Sequence, residues 1–157
     1  MHYEAHLTWT GNRGSGTSSY TSYSRDYDVA VDGKSLLAGS ADPKFRGAAD
    51  RHNPEDLLVM ALTSCHMLAY LALCARGGIT VVGYTDRATG SMELRPDGGG
   101  HFVEVTLRPV VTVANAADAD RAAALHHSAH EGCFIASSCN FPVRHEATIR
   151  VAEELPA

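Results

Sequence analysis

The stretch NPEDLLVMALTSCHMLAYLALCARGG, residues 53–78, decides the fold of this chain. Asn53 is a favoured helix N-cap, Pro54 suits the first helical position, and the two acidic residues that follow favour the positive end of the helix dipole. The Gly-Gly pair at the end of the stretch supplies a stop signal. The sequence therefore predicts one long helix that begins after Asn53 and runs to Ala75.

This helix carries no formal charge over nineteen residues, from Leu57 to Ala75, when His66 is neutral. Such a length is enough to span a bilayer, so a transmembrane helix is one interpretation. Thr63, Ser64 and His66 lie in its middle, however, where lipid would penalise them, and the flanking segments have the pattern of soluble strands. We therefore expect a helix that protein buries on all sides, and no membrane partner.

The segments on both sides of the long helix have the alternation, aromatic content and turn signals of strands. The length of the chain suits one core, so residues 1–157 are expected to form a single domain. The order of elements predicts an α+β fold with antiparallel sheets packed around the long central helix. The predicted strands are 3–10, 20–31, 35–40, 79–94, 101–113 and 142–152, and the predicted second helix is 118–131.

Composition excludes several classes of protein. The chain has 157 residues, of which 45% are hydrophobic and 20% are charged, as in ordinary globular proteins. Its net charge of -5 argues against a nucleic-acid binder. The first residues show no cationic and apolar signal segment, so the expected compartment is the cytoplasm. There, four cysteines without a C-x-x-C spacing suggest buried, catalytic or metal-bound thiols.

The four cysteines differ in the environment that their positions predict. Cys65 lies mid-helix, beyond the reach of the helix dipole, so a reactive thiolate there needs a cation brought from elsewhere. Cys133 follows a glycine and opens a short segment whose backbone N–H groups would favour a thiolate. Cys74 is expected to be a packing residue, and Cys139 remains ambiguous.

Histidines on the second helix suggest a different chemistry. His126 and His130 share one helical face, and Cys133 lies near the same end, so the three have the residue types of a zinc site. The helix lacks the glutamate of a metalloprotease motif. The simpler alternative is that these histidines, together with the neighbouring His127, line a polar interface or a cleft. Arg25, Arg46 and Glu55, taken as isolated residues, are most simply surface charges.

Three motifs in register resemble the OsmC/Ohr family, the osmotically induced and organic hydroperoxide resistance proteins. They are Asn53 to Leu58, Ser64 to Met67 and His130 to Ala136, and the likeness is greatest to the OsmC branch. It extends over roughly Tyr3 to Val151. The resemblance implies an intertwined homodimer in which each chain buries its long helix, and a thiol peroxidase that uses no metal, haem or flavin.

The resemblance also assigns roles to individual residues. Cys65 corresponds to the cysteine that attacks the peroxide, and Cys133 to the cysteine that resolves the sulfenic acid as a disulfide. Glu55 corresponds to an acid that pairs with an active-site arginine. Arg25 is the best match for that arginine, and Arg46 is the alternative.

The expected substrate is an organic hydroperoxide, because apolar side chains surround these motifs. The expected reductant is a dithiol, such as a lipoylated protein. Two other classes stay open. One is a non-catalytic metal- or ligand-binding dimer that uses His126, His130 and Cys133. The other is a structural domain with four buried cysteines.

Overall fold

The computed structural model describes residues 1–152, which divide into two compact units, 1–58 and the part from Val59 onward. The boundary lies within the long helix α1, Pro54–Arg76. Its N-cap is the predicted one, because the Asn53 side chain accepts a hydrogen bond from the Asp56 N–H at 2.7 Å. The helix thus confirms the prediction made from residues 53–78.

The first unit contains a three-stranded antiparallel sheet of β1 (His6–Trp9), β2 (Tyr27–Ala30) and β3 (Leu37–Gly39). The predicted strand over residues 20–31 is wrong in its first half, which forms turns instead. Polar side chains hold these turns: the Ser22 hydroxyl donates to the Gly16 carbonyl at 2.8 Å, and the Asn12 side chain accepts from two glycine N–H groups. Such local bonds compete with strand pairing.

The second unit contains two three-stranded sheets. One has the order β4 (Val81–Asp86), β7 (Pro109–Val113), β9 (Thr148–Val151), and the other has β5 (Thr89–Leu94), β6 (Gly100–Leu107), β8 (Val143–His145). The β4–β7 and β5–β6 pairs are antiparallel, whereas β6–β8 and β7–β9 are parallel. The α+β class is confirmed, and the sheets of this unit are mixed.

Each of the three predicted strands in this unit is divided between the two sheets by a bend. Arg108 contacts all three bends, and the next residue, Pro109, which lacks a backbone N–H, begins a new strand. Its backbone N–H donates to Asp86 at 2.6 Å, and its guanidinium donates to Thr89 at 2.8 Å and to Glu146 at 2.9 Å. These contacts join residues distant in sequence, so strand periodicity alone does not reveal the bends.

Helix α1 buries only one stripe of its surface within the single chain. Leu62, His66, Tyr70 and Cys74 are buried, whereas Met60 and Leu68 remain 39% and 64% exposed. The expected burial on all sides is therefore not reached within one chain. Helix α1 is long and apolar enough to cross a membrane, with a mean hydropathy of 2.0, although a core helix meets the same criterion.

Helix α2 (Ala119–Glu131) confirms the second predicted helix. Its buried residues Ala122 and Ala129 join Tyr70 and Cys74 of α1 in one hydrophobic cluster with β7. Small side chains on α2 leave room for the larger ones of α1. This packing positions the cysteine-bearing segments of the second unit.

Candidate active site

Cys65 and Cys133, 68 positions apart in the chain, are brought together in the second unit. Their side chains are neighbours, since the Cys65 thiol is one of the groups that raise the pKa of the Cys133 thiol, and both thiols are free. Cys65 is half-buried in the middle of α1, and Cys133 is buried just after the end of α2. Two thiols in direct contact can form a disulfide once one of them is oxidised.

The environment of Cys133 differs from the one expected from sequence. Burial and the hydrogen bond with Cys65 raise the pKa of the Cys133 thiol to about 11. Backbone N–H groups of Ile135 and Ala136 act in the opposite direction, as predicted, but burial outweighs them. Cys133 is therefore a protonated thiol at neutral pH, and the expectation of a favoured thiolate there is wrong.

The two remaining cysteines lie apart from this pair. Cys74 is buried in the hydrophobic cluster, and burial raises the pKa of its thiol. This confirms its assignment as a packing residue. The Cys139 thiol donates to the Ile135 carbonyl at 3.4 Å, and burial raises its pKa as well. Neither environment favours a reactive thiolate at neutral pH.

Arg25 and Glu55 line one cleft of about 490 Å³ in the first unit. Four aromatic residues contribute to its walls, namely Trp9, Tyr23, Tyr27 and Phe45. One positive side chain, Arg25, and two negative ones, Glu55 and Asp42, line the cleft beside these rings. Clefts of this kind bind small molecules that have an apolar body and one polar group.

The guanidinium of Arg25 is held by tyrosines. It lies 4.3 Å from the ring centroid of Tyr20 and 4.2 Å from that of Tyr23, and it donates to the backbone carbonyls of both residues. The expected ion pair with Glu55 is not among the ion pairs within 4.0 Å in residues 1–152. Arg46 is exposed and does not line this cleft.

The predicted histidine cluster takes a different form. His126 is buried, and its Nδ1 lies 3.0 Å from Nε2 of His66 on α1. His127 faces solvent and lies 3.6 Å from Glu131. Within residues 1–152 no three His, Cys, Asp or Glu side chains are placed to hold a metal ion, so the zinc arrangement of His126, His130 and Cys133 is not formed.

His66 and the half-buried His145 complete this group, and the sequence alone indicates no role for either of them. The His145 ring stacks 5.7 Å from His66, and burial lowers the pKa of all three imidazoles, to about 4 for His66 and His126. The one available signal was the four-residue spacing of His66 and Tyr70, which puts both on one face of α1.

Comparison with known proteins supports the fold and the family. The family model described as OsmC-like protein matches residues 47–148. An OsmC-like protein of unknown function from Vibrio cholerae O1 biovar eltor is 32% identical, with a TM-score of 0.83; the match covers 94% of this chain and 99% of that one. No curated protein matches the chain.

Two solved structures share the fold at lower identity. An organic hydroperoxide resistance protein from Elizabethkingia anophelis is 20% identical with a TM-score of 0.66, covering 97% of this chain and 99% of its own. One from Legionella pneumophila is 19% identical with a TM-score of 0.68, covering 96% and 98%. With a family model that matches about two thirds of its length and a relative of 32% identity over 94%, the chain belongs to the OsmC-like family.

Proposed function

We propose that this protein is a thiol peroxidase that reduces organic hydroperoxides in a redox response to stress. The contact between the Cys65 and Cys133 side chains carries the proposal. Membership of the OsmC-like family supports it, and two proteins of the same fold are named organic hydroperoxide resistance proteins.

In the proposed first step, the Cys65 thiolate attacks the terminal peroxide oxygen. The O–O bond breaks, Cys65 becomes a sulfenic acid, and the alkoxide takes up one proton and leaves as an alcohol. Cys133 does not compete as the nucleophile, because its raised pKa keeps it protonated at neutral pH. The protonated state of the Cys133 thiol thus supports a resolving role for it rather than an attacking one.

In the proposed second step, the Cys133 sulfur attacks the Cys65 sulfenic acid. A sulfur–sulfur bond forms, and the hydroxyl group leaves as water with the proton that Cys133 carried. Because the two side chains are neighbours before oxidation, we expect capture to precede a second oxidation of Cys65. A dithiol, such as a lipoylated protein in the cytoplasm, then reduces the disulfide and completes the cycle.

We assign to Arg25 the positive charge on which Cys65 reactivity depends, with Arg46 as the alternative. Arg25 is the arginine that lines a cleft together with Glu55, and a guanidinium offers a permanent charge and several donors. Glu55 is proposed to orient it. The aromatic lining of this cleft suits the organic part of a hydroperoxide better than hydrogen peroxide.

A homodimer is the proposed assembly. Met60, Ser64 and Leu68 form an exposed stripe on α1, opposite the buried stripe that begins at Leu62. Large apolar side chains on an exposed helix face indicate an interaction surface. A second copy would cover them beside Cys65.

The test is a count of free thiols after one equivalent of cumene hydroperoxide. We expect the protein to lose two of its four thiols, and peptide mapping to find a Cys65–Cys133 disulfide. Retention of all four thiols, with the peroxide unconsumed, would contradict the proposed function.

A further inference from the structure

A buried pair of imidazoles joins helix α1, which carries Cys65, to helix α2, which ends just before Cys133. His66 belongs to α1 and His126 to α2, and their nitrogens Nε2 and Nδ1 lie 3.0 Å apart. The rings are nearly parallel, at 7°, and both side chains are fully buried. A hydrogen bond away from water is costly to break without a replacement, so this bond resists movement of one helix against the other.

Tyr70 adds two more contacts between the same helices. Its ring stacks on His126 with 3.9 Å between centroids, and its hydroxyl donates to the Ala122 carbonyl at 3.0 Å. His66 and Tyr70 are four residues apart on α1, as are Ala122 and His126 on α2, so each pair lies on one helical face. We name His66, Tyr70 and His126 the helix clamp.

The mutual bond is the hydrogen bond that orients the two imidazoles. The second nitrogen of each ring, Nδ1 of His66 and Nε2 of His126, has no hydrogen-bond partner within residues 1–152. No other side chain or carbonyl in this part of the chain therefore fixes either ring through a hydrogen bond. Loss of one imidazole leaves the other without its polar partner.

The clamp is directly connected to the two thiols. Cys65 precedes His66 in the same helix, and Cys133 follows His126 by seven residues. The chain between them stays tied to α2, because the Gly132 N–H donates to the Ser128 carbonyl and the Cys133 N–H to the His130 carbonyl. A shift or rotation of α1 against α2 would therefore move one thiol relative to the other.

We propose that His66 and His126 are positioning residues that hold Cys65 and Cys133 at disulfide-forming separation. A disulfide tolerates only a narrow range of Cα separations, about 4.4–6.8 Å, so a small displacement of the helices is enough to oppose its formation. Neither imidazole takes part in bond making. The inference rests on the proposed function in one respect, that Cys65 and Cys133 form the disulfide.

The experiment measures disulfide formation without any peroxide. Cys74→Ala and Cys139→Ser leave only the two thiols of interest, and this background protein is equilibrated with mixtures of oxidised and reduced glutathione. The two thiols give two electrons and two protons to glutathione disulfide, which yields the protein disulfide and two molecules of glutathione. The equilibrium constant reports how well the thiols are positioned.

The variants distinguish the effect of placing a polar atom at the bond from the effect of merely keeping a polar side chain at residues 66 and 126. His66 uses Nε2, which the amide of glutamine can replace, and His126 uses Nδ1, which the amide of asparagine can replace. His66→Gln and His126→Asn therefore keep a polar atom at the bond. His66→Asn and His126→Gln are the matched controls, because they carry the same amides at the wrong distance from the backbone. A double leucine variant removes both polar groups and keeps an apolar core.

We expect His66→Asn, His126→Gln and the double leucine variant to lower the equilibrium constant about tenfold or more. His66→Gln and His126→Asn should retain most of the value of the background protein. Equal constants in all folded variants would overturn the inference, even where thermal stability changes. A background protein that forms no Cys65–Cys133 disulfide at any glutathione ratio would instead contradict the proposed function itself.

Discussion

Three of the four cysteines lie in environments that disfavour a thiolate. Burial raises the pKa of Cys74, Cys133 and Cys139, each of which is thereby kept as a neutral thiol near pH 7. Cys133 differs from the other two because its side chain contacts Cys65. This contact sets the candidate resolving thiol apart from Cys74 and Cys139.

Replacing single cysteines should separate these roles. We expect Cys65→Ser to abolish hydroperoxide consumption, because a serine hydroxyl does not form the sulfenic acid. Cys133→Ser should complete one turnover and then accumulate sulfinic acid at Cys65, since no thiol captures the intermediate. Stopped-flow peroxide consumption and mass spectrometry of the Cys65 peptide measure the two effects.

Cys74→Ala and Cys139→Ser are the matched controls for these variants, and each should consume hydroperoxide close to the parent rate. Parent-like turnover by Cys65→Ser would show that Cys65 is not the attacking residue. A Cys133→Ser protein that resists over-oxidation would remove the resolving role from Cys133.

The charge of Arg25 is expected to set the pH at which Cys65 reacts. Arg25→Ala removes that charge, so half-maximal labelling of Cys65 by iodoacetamide should require a pH about one unit higher. Arg25→Lys keeps the charge but loses the forked donors that now bond the carbonyls of Tyr20 and Tyr23. Its peroxidase rate should therefore fall about tenfold or more while the fold persists.

Arg46→Ala is the control for this prediction, because Arg46 is exposed and lies outside the cleft. It should leave the labelling profile unchanged. If Arg46→Ala shifts the profile and Arg25→Ala does not, the role of the cation passes to Arg46.

At the scale of elements, local sequence signals were sufficient to predict where the helices begin and end, but not where the strands do. The long helix was predictable because Asn53 and Pro54 act on their own neighbours and an uncharged run follows them. The breaks between β4 and β5, β6 and β7, and β8 and β9 depend on Arg108 and its partners in three different segments. Alternation continues through such bends and does not mark them.

The same distinction applies to the candidate site. Cys65 and Cys133 were identified through a resemblance of short motifs, which are local features of sequence. The bond between His66 and His126 joins positions 60 residues apart, and no residue adjacent to either histidine predicts it. Burial also reversed the expected acidity of Cys133, because the loss of solvation depends on the assembled core.

The helix clamp should make the stability of the protein sensitive to acid. Burial lowers the pKa of His66 and His126 to about 4, below the ordinary 6.5 of the unfolded chain. Between these values the unfolded chain binds protons that the folded chain does not, so the free energy of unfolding falls as the pH falls from 6.5 to 4. Each histidine contributes up to about 1.4 kcal/mol per pH unit.

Urea unfolding at pH 7, 6 and 5 measures this dependence. The double variant His66→Leu/His126→Leu is the comparison, because it keeps the other titrating groups, His145 among them. We expect its free energy of unfolding to vary less between pH 7 and pH 5 than that of the parent. Identical slopes would show that the two histidines are not responsible.

At the scale of the whole molecule, a single chain leaves apolar side chains of its longest helix exposed to solvent. Helix α1 buries the stripe from Leu62 to Cys74 and exposes the opposite stripe of Met60, Ser64 and Leu68. Exposure of such apolar side chains beside Cys65 favours association, because each buried methylene contributes about 0.8 kcal/mol. A second copy that presents the same stripe would bury the exposed stripes of both helices at once, as in a two-fold symmetric dimer.

The dimer is testable through this stripe. Light scattering should give twice the mass of the 16.7 kDa chain at micromolar concentration, and Leu68→Glu should shift the protein towards monomer, because burying a carboxylate in the interface is costly. Leu94→Glu is the matched control, since Leu94 is 65% exposed and Leu68 is 64% exposed, but it lies on β5. It should leave the mass unchanged. A parent protein that scatters as a monomer at every concentration would contradict the proposed dimer. An equal loss of mass in both variants would show that dimerisation does not depend specifically on the α1 stripe.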